Sequence, residues 1–177
     1  MSDEILDVDL LAFERGNARQ RSEVVDATMS SLRHGFVYTA HDLPETLLDD
    51  AYTKLARFFG LVGSDKARYH TPGAHGQVGY TGLLVETAAQ AEAADWKEML
   101  NWGHELTPNH PLSVRYPHRY RQNVFPDDVV PGIGDTLRRF HQVLAELQRR
   151  FLRIIAIGIG CDERFFDHML ADGATLS

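Results

Sequence analysis

The side chains of this 177-residue sequence with the means to do chemistry are nine histidines, a single cysteine and 25 acidic residues, and their spacing restricts what that chemistry is. His104, His110 and His118 are candidates for a metal site, since neutral imidazole is a common ligand. Their spacing matches neither a helical nor a strand face, and Pro108, Pro111 and Pro117 interrupt the segment between them. His70 and His75 flank a glycine-rich segment and are candidates for substrate contact, whereas His41, next to Asp42, reads as a loop residue. Cys161 lies at an apolar helix end with no activating base nearby in sequence, which argues against a thiol nucleophile. The serines, Ser64 and Ser113 among them, form no nucleophile elbow. The carboxylate pairs Asp49-Asp50 and Asp127-Asp128 read as solvated charge at element ends, where acidic residues also favour a following helix N-terminus.

Composition sets the outer limits. With 44% hydrophobic and 24% charged residues the chain suits an ordinary globular domain long enough to bury one sizeable core. A formal charge of -7 argues against a nucleic-acid partner. Arg138, Arg139, Arg149, Arg150 and Arg153 form the one basic concentration, expected as the solvated side of a helix. No stretch approaches the ~20 apolar residues that span a bilayer, and the acidic N-terminus is unlike a secretory signal. Together with a lone cysteine, expected as a small buried hydrophobe, this predicts a cytoplasmic protein without a membrane partner. Oligomeric state is left open.

The elements that must position these groups are mixed and helix-rich. Asp7 to Leu11 alternates like a short edge strand, followed by a polar connection through Gly16. Val25, Thr28, Met29 and Leu32 share one stripe of a helix starting near Asn17, with Gly35 as its left-handed cap. Phe36 to Thr39 has strand composition. A second helix starts near Pro44, presents Leu48, Ala51, Tyr52, Leu55 and Phe59 to a core, and stops at Gly60. Thr71 to Gly82 is a loop, and its glycines lack the order of a phosphate-binding loop. Ala88 to Ala94 reads as an exposed turn or short helical piece, Asp95 to Gly103 as a strand, and the proline-rich stretch after Gly103 as an extended connection. From Ile133, Leu137, Phe140, Leu144, Leu147, Phe151 and Ile154 repeat at helical spacing. Asp135 is the expected cap of a helix reaching Ile157, ~35 Å long at 1.5 Å per residue. Ile154 to Gly160 is apolar on every side and expected to be buried all round. A last short helix, capped by Asp162, holds Phe165, Phe166, Met169 and Leu170.

Several of these pieces, in order, resemble the N-terminal portion of the isopenicillin N synthase-like family of non-haem iron, 2-oxoglutarate-dependent oxygenases. The features are Phe36-Val37-Tyr38 after Gly35, the helix ending at Leu55 to Phe59 followed by Asp65-Lys66, Gly79-Tyr80, Asp95 to Gly103, and Asn123 to Pro126 leading into the long helix. The resemblance covers nearly the whole chain. It implies an α+β fold: the helix-rich N-terminal portion of a double-stranded β-helix, or jelly-roll, oxygenase, with the long helix bracing it. It also implies Fe(II) and 2-oxoglutarate as cofactors and a small-molecule substrate. Lys97, Met99 and Asn101 would line one side of the substrate chamber, with Tyr80 near its mouth.

The departures from that family are equally specific. Its iron ligands begin with a His-x-Asp pair on one strand, and no histidine here is followed at the second position by Asp or Glu. The distal His and the Arg-x-Ser motif that anchors 2-oxoglutarate are missing too. Residues 1–177 are therefore expected to be a single N-terminal oxygenase-type domain, incomplete, with the catalytic jelly-roll half elsewhere and no catalytic or metal-binding residue of its own. The function expected is substrate shaping in an oxygenase that hydroxylates, desaturates or cyclises a small molecule. The alternatives are a non-catalytic helical binding or interaction module derived from the family, and a separate metal enzyme built on His104 to His118.

Overall fold

In the computed structural model, which describes residues 5–89 and 92–170, the chain divides into two compact units. One comprises residues 5–44 and 142–170, the other residues 45–141. Residues 90 and 91, in the middle of the expected Ala88 to Ala94 turn, and residues 171–177 lie outside the described residues. Helices dominate. The strands form a two-stranded parallel pair and a two-stranded antiparallel pair.

The first unit is built on a crossover. Strand β1 (Asp7–Asp9) pairs in parallel with β2 (Tyr38–Ala40), register Asp7 to Tyr38, and parallel pairing needs a connection that returns the chain in the same direction. Helices α1 (Leu10–Arg15) and α2 (Ala18–Leu32) supply it. The expected strand therefore ends two residues early, because the Asp9 carboxylate accepts the amides of Leu11 and Ala12 at 2.9 and 3.1 Å and starts a helix at Leu10. Asn17 and Gln20 form a reciprocal capping box for α2, and Gly35 takes the left-handed conformation, φ 82°, beyond its end. Val8, Leu10, Phe13, Val24, Val25 and Ile154 form the core.

Arg150 corrects the expectation of a solvated arginine face. Its side chain is 15% exposed, and its guanidinium donates to both oxygens of Glu14 at 2.7 and 2.8 Å and to Asp42 at 2.7 Å. Hydrogen bonding from Arg150 holds the Asp42 carboxyl below the usual range. Arg153 likewise grips Asp167 at 2.8 Å. The apolar run at the end of α6 (Ile133–Gly158) is buried on one side only: Ile154 and Ala156 are in the core, while Ile159 is 51% exposed. Asp162 accepts the Arg164 amide in a turn, and the following element shrinks to a 3-10 turn at Asp167–Met169. Cys161 is half-buried rather than buried.

The second unit centres on α3 (Glu45–Phe59). Leu47, Ala51 and Phe58 are its buried residues; of the expected stripe Ala51 is in the core, Leu55 and Phe59 pack against it partly buried, Leu48 is half-buried, and only Tyr52 turns away, 70% exposed. Small Ala51 allows close approach, and Phe58 fills the space with edge-on contacts to Phe59, Tyr69 and Tyr80 at 5.3, 5.8 and 5.9 Å. The Asp50 and Lys54 side chains both reach Thr136, at 2.7 and 2.6 Å, joining α3 to the start of α6. Asp50 is exposed, as expected, but paired rather than free, and its pKa is lowered, chiefly by Lys54 and then by Thr136.

Helix α6 starts at Ile133, two residues before the expected cap. The free amide of Gly134 is taken by Asp127, at 3.0 Å, from seven residues upstream, and a Cβ at Gly134 would meet that carboxylate at 2.5 Å. Asp135 instead lies in the first turn, its side chain 95% exposed. The proline-rich stretch is irregular as expected except for α5 (Pro111–Arg115), one short turn of helix.

Two stability outcomes are expected in urea unfolding. Asp127→Ala lowers stability by about 1 kcal/mol through the lost cap, whereas Asp135→Ala changes it little. Phe58→Ala costs about 3–5 kcal/mol from the cavity it opens, while Tyr52→Ala stays within about 0.5 kcal/mol.

Candidate functional site

Three of the four residues expected to face a substrate, Tyr80, Met99 and Asn101, lie on one short ladder in the second unit. Strand β3 (Gly79–Thr81) runs antiparallel to β4 (Met99–Asn101), pairing Gly79 with Asn101, Tyr80 with Leu100 and Thr81 with Met99. The glycine segment is thus a loop only up to Val78, and the strand expected over Asp95 to Gly103 contracts to Met99–Asn101. Gly79 makes the approach to the preceding turn: at φ 82° a Cβ would lie 2.5 Å from the Tyr69 carbonyl and 2.7 Å from Thr71 Oγ1. That closeness lets the Tyr80 amide donate to the Tyr69 carbonyl at 2.9 Å.

Alternation then assigns the side chains. Leu100 is buried, while Met99 and Asn101 on the opposite face are half-buried. Asn101 Nδ2 donates to the Gly76 carbonyl and so anchors the glycine loop to β4. Tyr80, 6% exposed, is a core residue, and its phenol is pushed up by burial first and then by the neighbouring Glu98 carboxylate. Lys97 is not on the strand. It stands exposed before it and clamps Glu86 and Asp95, each at 3.0 Å, in an arm where Leu84 N donates to Asp95 O and Asp95 N to Glu86 O. Those partners raise the Lys97 pKa, Glu86 foremost. The same arm exposes Leu84, Val85 and Trp96.

Two polar contacts made by buried side chains, Lys66 and Tyr69, beside the ladder were not legible in the sequence. Lys66, at the end of α4 (Gly63–Ala67), is 5% exposed, and its ammonium donates to both Glu98 oxygens at 2.8 and 2.6 Å and to the Phe59 carbonyl at 3.1 Å. The Tyr69 hydroxyl donates to Asp128, which also accepts from Arg68 at 2.8 Å. Burial, then the hydrogen bond and charge of Asp128, pushes the Tyr69 phenol up to about 12. Reciprocally, Tyr69 is the main cause that holds the Asp128 carboxyl low. The one signal available for Lys66 and Glu98 was strand alternation, which places Glu98 on the face of Leu100.

Beyond β4, Trp102 Nε1 donates to the Leu137 carbonyl at 3.1 Å, and Asn123 exchanges two hydrogen bonds with the Gly103 backbone, at 3.0 and 2.8 Å. The candidate histidines do not converge. His110 Nδ1 accepts the Leu112 amide at the start of α5, His118 lies beside Arg121, and the His104 ring lies 6.4 Å from that of His141. Burial, then the His104 ring, lowers the His141 pKa. His70 Nδ1 approaches the Tyr80 carbonyl at 3.3 Å, and His41 Nδ1 accepts the Leu43 amide. Among the described residues, no three His, Cys, Asp or Glu side chains are placed to hold a metal ion. No helix among them is long and apolar enough to cross a membrane.

A family model described as the N-terminal region of the non-haem dioxygenase in morphine synthesis matches residues 5–128. A 2OG-Fe(II) oxygenase family protein from Caulobacter crescentus is similar in fold, with TM-score 0.77 and 24% identity, over 94% of this chain and 52% of that one. A full-length Neurospora crassa protein, solved in complex with alpha-KG, gives TM-score 0.74 and 23% identity over 94% and 51%. The C-terminally truncated apo form of that Neurospora protein gives 0.70 and 24% over 98% and 61%. The chain spans about half the length of the first two structures. No curated protein matches.

The Tyr69 contact predicts a pH dependence. The unfolded phenol ionises near 10.0 and the folded one near 12, so the folded state holds the proton more tightly. The resulting stability is fully present below pH 10.0 and is lost as pH rises through about 12. Denaturation midpoints across that window should fall more steeply for the natural protein than for Tyr69→Phe; parallel curves would remove Tyr69 as the cause.

Proposed function

Since this chain belongs to the family of non-haem dioxygenase N-terminal regions, we propose that it is the substrate-shaping part of an Fe(II)- and 2-oxoglutarate-dependent oxygenase of the isopenicillin N synthase-like type, acting on a small molecule. The observation that carries this reading is the two-faced strand β4. Leu100 is committed to the core, while Met99 and Asn101 turn the other way, half-buried, with Asn101 tied to the glycine loop. On this reading that face forms part of the substrate wall. Lys97 acts at one remove, by clamping the arm between β3 and β4. Tyr80 supports the wall from within the core rather than standing at a mouth.

Iron and 2-oxoglutarate supply the oxidation in such enzymes, with hydroxylation, desaturation or cyclisation as the outcome. The described residues do not form an iron site. The reading therefore confines this chain to orienting substrate against groups held elsewhere, within a jelly roll that α6 braces. Catalysis gains from such orientation because a reacting atom held in place avoids the entropy of finding its partner. The similar structures, one named for 2OG-Fe(II) chemistry and one solved with alpha-KG bound, support the cofactor assignment for the whole protein.

The test is an anaerobic titration of the full-length protein with Fe(II) and 2-oxoglutarate, followed by a small-molecule screen for stimulated 2-oxoglutarate consumption. Stoichiometric binding of both is expected. Met99→Ala should then weaken the response to the stimulating molecule at unchanged iron content, and Lys97→Ala should do so less strongly. Binding of neither iron nor 2-oxoglutarate would favour a non-catalytic interaction module instead.

A further inference from the structure

The ladder between β3 and β4 is three residue pairs long, from Gly79 with Asn101 to Thr81 with Met99. So few backbone hydrogen bonds specify register weakly, yet a slip of one residue turns every side chain of a strand to its opposite face. In β4 such a slip would drive Met99 and Asn101 into the core and expel Leu100. The strand that carries the proposed substrate wall therefore needs an external reference.

We propose that Lys66, through its buried ion pair with Glu98, is a positioning residue that fixes the register of β4 and so decides which face the strand presents. Lys66 is linked to both strands. It lies four positions before His70, whose backbone bridges Gly79, and the intervening Tyr69 carbonyl accepts the Tyr80 amide at 2.9 Å. Its ammonium meanwhile holds Glu98, the residue immediately before β4, by both carboxylate oxygens. β3 and β4 are thus referenced to one anchor. The anchor is itself held, since the Lys66 amide donates to the Val62 carbonyl and the ammonium also bonds the Phe59 carbonyl. Tyr80 packs beneath the pair, with the ammonium 5.9 Å from its ring centroid.

The energetics favour this role over simple stabilisation. The Lys66 and Glu98 side chains are 6% and 20% exposed, so both ions have lost most of their water. A buried pair often stabilises no more than well-packed apolar residues of the same size, and one attested use of such groups is to select a register. Apolar substitutes at positions 66 and 98 would fill the space and still leave slipped pairings open. Only the consequence for Met99 and Asn101 rests on the reading under Proposed function; the register itself does not.

The test reads register without any ligand. In the full-length protein carrying Cys161→Ser, the substitutions Thr81→Cys and Met99→Cys put two thiols directly opposite in the native ladder, within reach of a disulfide on oxidation with oxidised glutathione. The crosslink is expected to form in this background and with Lys66→Arg, which keeps the charge and its donors. It is expected to be lost when Lys66→Met and Glu98→Met are combined, while the thermal transition remains cooperative. Crosslinking at the parent rate in that folded double variant would overturn the proposal and leave the pair a filler of space. Should the double variant not fold, Glu98→Gln, which keeps shape but not charge, is read in its place by the same criterion. Failure of the oxygenase reading would show separately, as absence of Fe(II) and 2-oxoglutarate binding in the unsubstituted protein.

Discussion

The buried pair between Lys66 and Glu98 is the constraint on which the arrangement of the second unit depends. An ammonium and a carboxylate beside a core of Phe58, Tyr69, Tyr80 and Leu100 must satisfy each other, because both have lost most of their water. Glu98 meets that need with both oxygens, and the Phe59 carbonyl takes a further ammonium proton. The requirement couples the end of α3, α4 and the entry of β4 in a single geometry. Around it the aromatic rings pack edge-on, which gives Tyr80 its place and raises its phenol pKa through burial. The half-buried face of β4 then follows from strand alternation alone.

Elsewhere polar groups do the same kind of work at element ends. The helices that begin after Asp9 and Asn17 are set by side chains local in sequence. The start of α6 is set by Asp127 across a turn, and Asp50, Lys54 and Thr136 close a network between that start and α3. In the other unit Arg150 holds Glu14 and Asp42 at once, three segments distant in sequence joined by one planar guanidinium. Few of these charged residues are the free solvated groups that their composition suggests, because long side chains on a small protein find partners across the chain.

Legibility in the sequence tracks the range of the interaction that decides each feature. Asn17, Gly35 and the stripe around Val25 were readable because caps and helical periodicity act over four residues or fewer. The long helix was readable too, apart from its cap, since Asp135 stands where a local cap would and the amide is in fact served by Asp127. Tyr52 was misplaced because it adjoins the apolar stripe of α3, whose buried positions are taken by Ala51 and by Phe58, packed against the rings of Tyr69 and Tyr80. At the candidate site, alternation gave Met99 and Asn101 a common face, but Lys97 fell outside the strand and Tyr80 inside the core. The buried Lys66 and Tyr69 gave no local signal of their partners, 32 and 59 residues away.

By itself, then, the sequence determined the helix-rich class, the main helices, the glycine-dependent turns and membership of the dioxygenase N-terminal family. These depend on backbone preference, periodicity and residue order, which are properties of the chain taken a few residues at a time. Tertiary structure alone decided which residues of α3 are buried, where β4 begins and ends, and which charges lose their water. Those choices compare whole packings, in which a carboxylate at position 98 is costly or useful only according to what stands beside it.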